Sequence, residues 1–258
     1  MTQPLHITSR DNPLLTRLRK LAHDNAAYRK TGEVWLEGEH LCRAVVARGL
    51  TIAQAVVSEA AWADPALRAL TSTAERVVLL PDALFKSMSA LESPPAIGML
   101  MTLGVEPLLQ PNAMTIVLDR VQDAGNVGSV LRSAAALGAT QVLALQGTAA
   151  LWSPKVLRAG MGAHFSLNLV ESLAAEALDA LRVPLLATSS HAGTMLHEQT
   201  LPSPCAWVIG HEGQGIDAAL MQRCALTLHI PQPGGEESLN VAAAAAICLY
   251  ESLRQAQR

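Results

Sequence analysis

IPQPGGEESLNVAAAAAICLYE, residues 230–251, sets a Pro/Gly/Glu loop directly before a run of five alanines, Ala242 to Ala246. The loop delivers Ser238, Leu239 and Asn240 onto a helix start. The alanines keep that helix slim, so that other backbone can approach it closely on any face. Ser238 reads as the N-cap, because a hydroxyl there accepts from the free N–H groups of the first turn. Asn240 is less expected two residues further in, since its amide competes for backbone groups. The stretch is a binding loop locked by a buried helix.

Working outward, LTLHI, AWVIG and VPLLATSS are near-continuous apolar runs, which marks strands of a parallel sheet covered on both faces. DAALMQRC is the helix between AWVIG and LTLHI. Further back, MTIVLDRV, TQVLALQG and FSLNLVE read as strands, and GNVGSVLRSAAALG, SPKVLRAGMGA and LAAEALDALR as helices. The front repeats the alternation in shorter units, with strands in VWLEG, IAQAVVS, RVVLL and IGMLMTL and helices in EHLCRAVVARG, PALRALTS and PDALFKSMSAL. Ahead of these, residues 11–30 carry Leu14, Leu15, Leu18, Leu21 and Ala22 at helical spacing, with Asn12 as cap and Pro13 just inside. The whole is an α/β protein. GVEPLLQPNA, with two prolines and few apolar anchors, divides it into residues 1–103, a linker at 104–113, and residues 114–258.

At 50% hydrophobic and 16% charged, the 258 residues are ordinary for a globular protein with a substantial core. No apolar run approaches the roughly 20 residues needed to span a bilayer, and the basic start lacks a signal-peptide core. A cytoplasmic protein with no membrane association is expected. Cys42, Cys205, Cys224 and Cys248 are far apart without a CxxC pair, which argues against disulfides and against zinc. His191 and His197 lack partners at ligand spacing, so no metal is expected. The net charge of −3 conceals a basic front, Arg10, Arg17, Arg19, Lys20, Arg29 and Lys30, which is either a solvated helix face or a phosphate-contacting surface.

Three constellations sit at strand ends, where open α/β sheets bind ligands. In LDRVQDAGNVGSVLRSAAALGA, Asn126 lies at or before a helix cap and Arg132 projects from the second turn. In AWVIGHEGQGID, a buried strand runs into Gly210, Glu212, Gly213 and Gly215. Its GQGIDA also fits a dinucleotide fingerprint, but too little chain follows to complete such a fold, and Glu212 would face a pyrophosphate with the wrong charge. The third is the loop at 230–240 itself. No GxSxG elbow and no Walker loop occur.

In this order and spacing the blocks resemble the SpoU (TrmH-like) family of RNA ribose 2′-O-methyltransferases, within the SPOUT superfamily. NVGSVLR is similar to the first motif, with Asn126 and Arg132; VIGHEGQGI to the second, with Glu212; residues 230–251 to the third, with Ser238 and Asn240. The front, from ITSRDNPLLTRLRKL through VWLEGEHLCRAVV, is similar to the L30e-like substrate-binding domain that many members carry. The resemblance implies a C-terminal SPOUT domain with a mainly parallel sheet and a deep trefoil knot, preceded by the smaller α/β domain. It implies S-adenosyl-L-methionine as cofactor, held at Thr188, Gly210, Ile230 and Leu239, and a catalytic set of Arg132, Asn126, Glu212, Ser238 and Asn240. It also implies a homodimer whose sites are completed across the interface, and an RNA substrate. The separate front domain favours ribosomal over transfer RNA. Transfer RNA and a non-catalytic RNA-binding role stay open as alternatives. Glu236 and Glu237 receive no role.

Overall fold

The structure, a computed structural model, describes residues 3–105, 107–190, 192–234 and 238–257. His191, Glu236 and Glu237 lie outside the described residues. The chain forms two compact units, residues 1–105 with 152–165, and residues 106–151 with 166–258.

The first unit runs β1 (Leu5–His6), α1 (Pro13–His23), α2 (Ala27–Thr31), β2 (Glu33–Glu37), α3 (Glu39–Ala47), β3 (Ile52–Ser58), α4 (Pro65–Leu70), β4 (Ala74–Leu80), α5 (Asp82–Lys86) and β5 (Ile97–Thr102). Asn12 caps α1, its Oδ1 accepting from the Leu14 N–H at 2.9 Å, and the helix buries Leu15, Leu18, Leu21 and Ala22. The expected single helix over 11–30 is interrupted at Asp24. Its carboxylate accepts from the Ala26 N–H at 2.9 Å, a local bond that competes with the helix ladder, and α2 then starts afresh. The five strands form one mixed sheet in the order β1-β4-β3-β5-β2. The strands β1, β4 and β3 are parallel, whereas β5 runs antiparallel to both β3 and β2. The Trp35 indole of β2 packs against Gly98 of β5, where a Cβ would stand 2.2 Å from the ring, so only glycine fits.

The second unit contains β6 (Thr115–Leu118), α6 (Ala124–Ala136) and β7 (Gln141–Leu145). The next helix, α7 (Pro154–Gly160), belongs with residues 152–165 to the first unit, although the sequence places it in the second domain. The second unit then continues through β8 (Asn168–Leu173), β9 (Leu185–Thr188), β10 (Thr194–Met195), β11 (Ala206–Ile209), α8 (Ala218–Gln222), β12 (Leu226–His229) and α9 (Val241–Ala256). LAAEALDALR forms a short 3-10 helix over Ala175–Ala180 rather than an α-helix. The seven strands order as β10-β12-β9-β11-β6-β7-β8, and every pair among the described residues is parallel.

One side of this sheet buries Val117, Leu143, Val170, Leu185, Val208 and Leu220. The alanine-rich α9 lies against α6 and β11. It is fastened at its far end, where the buried Trp207 Nε1 donates to Ser252 Oγ at 2.9 Å. The expected linker is itself tied to the second unit. Gln141, fully buried, accepts at Oε1 from the Gln110 N–H (2.7 Å) and Asn168 Nδ2 (2.9 Å), while its Nε2 donates to Gln110 O (3.1 Å) and Thr115 Oγ1 (3.0 Å). No helix among the described residues is long and apolar enough to cross a membrane.

Candidate cofactor and catalytic site

A parallel sheet brings the carboxyl ends of its strands to one edge, and the loops leaving them enclose whatever binds there. Beyond β9, β11 and β12 and the start of α9, a cavity of about 610 Å³ opens. Thr188, Gly210, Glu212, Ile230, Ser238, Leu239 and Asn240 all line it. The tight turn after β11 depends on Gly210, where a Cβ would meet Gly215 C at 2.3 Å.

Asn126 reaches this group from α6. Its Nδ2 donates to Glu212 Oε1 at 3.1 Å, and its Oδ1 accepts from Asn240 Nδ2 at 3.0 Å. Glu212 accepts two more bonds, from the Asp123 N–H at Oε1 (3.0 Å) and the Gln122 N–H at Oε2 (3.2 Å). Burial works against ionising this carboxyl. The donors, Asn126 foremost and then the backbone N–H groups, outweigh burial and hold it below its ordinary 4.5. Glu212 is therefore an ionised acceptor with its lone pairs engaged, a poor candidate for proton abstraction.

Two details of the sequence reading change. The helix α6 starts earlier than expected, capped by Asp123, whose Oδ1 accepts from the Asn126 N–H at 2.8 Å. That places Asn126 in the first turn. The cap of α9 is Asn240, not Ser238, with Oδ1 accepting from the Ala242 N–H (2.9 Å) and the Ala243 N–H (3.3 Å). The carbonyl end of Asn240 thus closes the helix while its amino end binds Asn126, which resolves why an asparagine stands there. Ser238 lines the cavity without capping.

Arg132 is the predicted residue that the structure leaves apart. Six helical positions from Asn126 amount to roughly 600° of rotation, about 120° net, which carries it to another face. It is exposed, does not line the cavity, and makes no hydrogen bond or ion pair among the described residues.

Sequence reasoning missed Gln232. Its Oε1 is buried with no hydrogen-bond donor among the described residues although the residue lines the cavity, and only the tertiary structure exposes such a deficit.

The SpoU rRNA methylase family model matches residues 113–250. The chain belongs to this family. Its relatives include the 23S rRNA (guanosine(2553)-2′-O)-methyltransferase RlmP of Bacillus subtilis, 30% identical over 247 residues that cover 95% of this chain and 97% of that one. Among solved structures, an RNA 2′-O ribose methyltransferase superposes with a TM-score of 0.83 at 31% identity, covering 98% of this chain and all of that one. The SpoU methyltransferase AviRb from Streptomyces viridochromogenes, in complex with AdoMet, gives a TM-score of 0.85 at 25% identity, covering 95% of this chain and 98% of that one.

Proposed function

We propose that this chain methylates a ribose 2′-hydroxyl of ribosomal RNA with S-adenosylmethionine as donor. The observation that carries the reading is the hydrogen-bonded chain Glu212–Asn126–Asn240 set against the cavity at the carboxyl ends of β9, β11 and β12. The cavity fits the cofactor: loop backbone at Thr188 and Gly210 and apolar surface at Ile230 and Leu239 suit adenosine, and the buried Gln232 Oε1 lacks a donor among the described residues, which an adenine or ammonium N–H would supply. When bound, S-adenosylmethionine supplies an electrophilic methyl group on a sulfonium.

Held at Thr188, Gly210, Ile230 and Leu239, it would make that methyl group available to a ribose 2′-oxygen presented in line with it. The chain's task is alignment. Glu212, Ser238 and Asn240 form the polar floor, and Asn126 joins Glu212 to Asn240 behind it. Arg132 orients the ribose and its phosphate, since a guanidinium stays protonated and serves poorly as a base. Its exposed position off the cavity of its own chain suits service to a second copy, so the working form is a C₂ homodimer. In this reading the knotted SPOUT domain is drawn from residues 114–258, the segment at 152–165 going with the first unit. Residues 1–103 are an L30e-like domain that docks ribosomal RNA in the cytoplasm.

Mapping 2′-O-methyl sites in cellular RNA with and without the gene tests the assignment. Loss of one ribosomal site is expected. Loss confined to transfer RNA would move the substrate, and no loss together with no calorimetric binding of S-adenosylmethionine would leave only an RNA-binding role.

A further inference from the structure

Arg120, the second residue after β6, has φ +57°, in the left-handed region that a side chain with a Cβ enters only at a cost. Successive side chains of an extended segment point to opposite faces; here the left-handed turn lets neighbours meet. Arg120 Nε and Nη2 donate to the two oxygens of Asp119 at 2.9 and 3.1 Å. Gly147, with φ +90°, leaves the room, as a Cβ there would lie 3.1 Å from Arg120 Cγ.

Asp119 is only 3% exposed, and its Oδ2 also accepts from the Asp217 N–H at 2.7 Å. Arg120 Nη1 donates to Gln214 Oε1 at 3.1 Å. Ahead of Asp217 the loop after β11 is also closed internally. His211 and Gly215 exchange backbone bonds at 3.0 and 2.9 Å, and His211 Nδ1 accepts from the N–H groups of Gly213 (2.9 Å) and Gln214 (3.2 Å). The loop is a small rigid body that carries Glu212, and Asp119 with Arg120 holds it at two points. Neither of them lines the cofactor cavity; both line a separate one of about 270 Å³.

We infer that Asp119 and Arg120 are a positioning pair for the reaction, setting the loop at 210–217 so that Glu212 meets its donors and the cofactor wall has its shape. The function of that wall rests on the reading of the cavity as the S-adenosylmethionine site. The test uses the full chain with Arg120→Gly, which keeps the left-handed backbone and removes the guanidinium, and Gln214→Ala, whose side chain also lines the cofactor cavity and for which loop exchange is therefore the readout. Both variants should speed amide hydrogen exchange across residues 211–217 by about tenfold, and Arg120→Gly, which lies off the cofactor cavity, should raise the Kd for S-adenosylmethionine by about tenfold. Loop exchange in the double variant should be no faster than in Arg120→Gly alone. Wild-type loop exchange in Arg120→Gly, or additive acceleration in the double variant, overturns the inference. If the wild-type protein binds no S-adenosylmethionine, the cavity reading fails separately, and the exchange rates still decide whether the pair holds the loop.

Discussion

Asn240 Nδ2 donates to Asn126 Oδ1 at 3.0 Å across 114 residues of sequence, and the amino end of Asn126 donates in turn to Glu212. One amide therefore joins the first turn of α6, the loop after β11 and the cap of α9, and its orientation is set by a donor on one side and an anion on the other.

Replacing Asn126 by Asp keeps the volume but turns the donor toward Glu212 into a second anion. Methyl transfer should fall by a factor of about 10² or more, the equivalent of about 3 kcal/mol for a lost charged hydrogen bond and added repulsion. The helix cap from Asp123 is untouched, so the circular dichroism spectrum should be unchanged. Wild-type single-turnover rates would show that the amide merely packs there.

The low-lying carboxyl of Glu212 makes an acid-dependent contribution to stability. Its folded pKa is depressed below 4.5, so the stabilisation is complete above that value and is lost as pH falls through the folded pKa. The difference in Tm between wild type and Glu212→Gln should accordingly be constant from pH 6 to 8 and shrink below about pH 4. A difference that grows on acidification would reverse the assignment.

Gly210→Ala forces a Cβ to 2.3 Å from Gly215 C. The loop backbone must move, and binding of S-adenosylmethionine measured by calorimetry should weaken at least about tenfold at a stability cost of about 1–3 kcal/mol. Undiminished affinity would mean that the turn yields without disturbing the cavity.

Arg132→Ala should leave cofactor affinity intact and remove most of the transfer, because Arg132 does not line the cavity of its own chain. If it serves a second copy, mixing equal amounts of Arg132→Ala and Gly210→Ala, at cofactor too dilute to load Gly210→Ala, restores about a quarter of the wild-type sites through hybrid dimers. No recovery after subunit exchange would place the arginine in its own chain's site.

Gln141→Leu removes the acceptor of the Gln110 N–H and the donor to Gln110 O, and takes one of two partners each from Asn168 Nδ2 and Thr115 Oγ1, which keep Leu108 O and Ala113 O. A loss of about 3 kcal/mol is expected, read as a drop in urea midpoint with an unchanged slope. A neutral result would show that water enters and replaces the amide.

Several features followed from the sequence alone, because their causes are local. Apolar runs and capping residues marked most of the strands and helices, the parallel character of the second sheet came from strands without polar alternation, and glycines after the β11 run marked a tight turn. The break at Asp24 and the 3-10 segment at Ala175–Ala180 escaped, since short side chain to backbone bonds override periodicity there. So did the two-residue strands β1 and β10, which are too short to leave a pattern. What only the tertiary structure decided is which distant groups meet. Asp119 reads as the polar end of a strand until Asp217 is folded against it, and Gln141 as one polar residue until it holds Gln110. Asn240 reads as a misplaced helix residue until its two ends are seen to bind different elements. Hydrogen bonds of this kind depend on distance and direction in space, and sequence spacing carries neither.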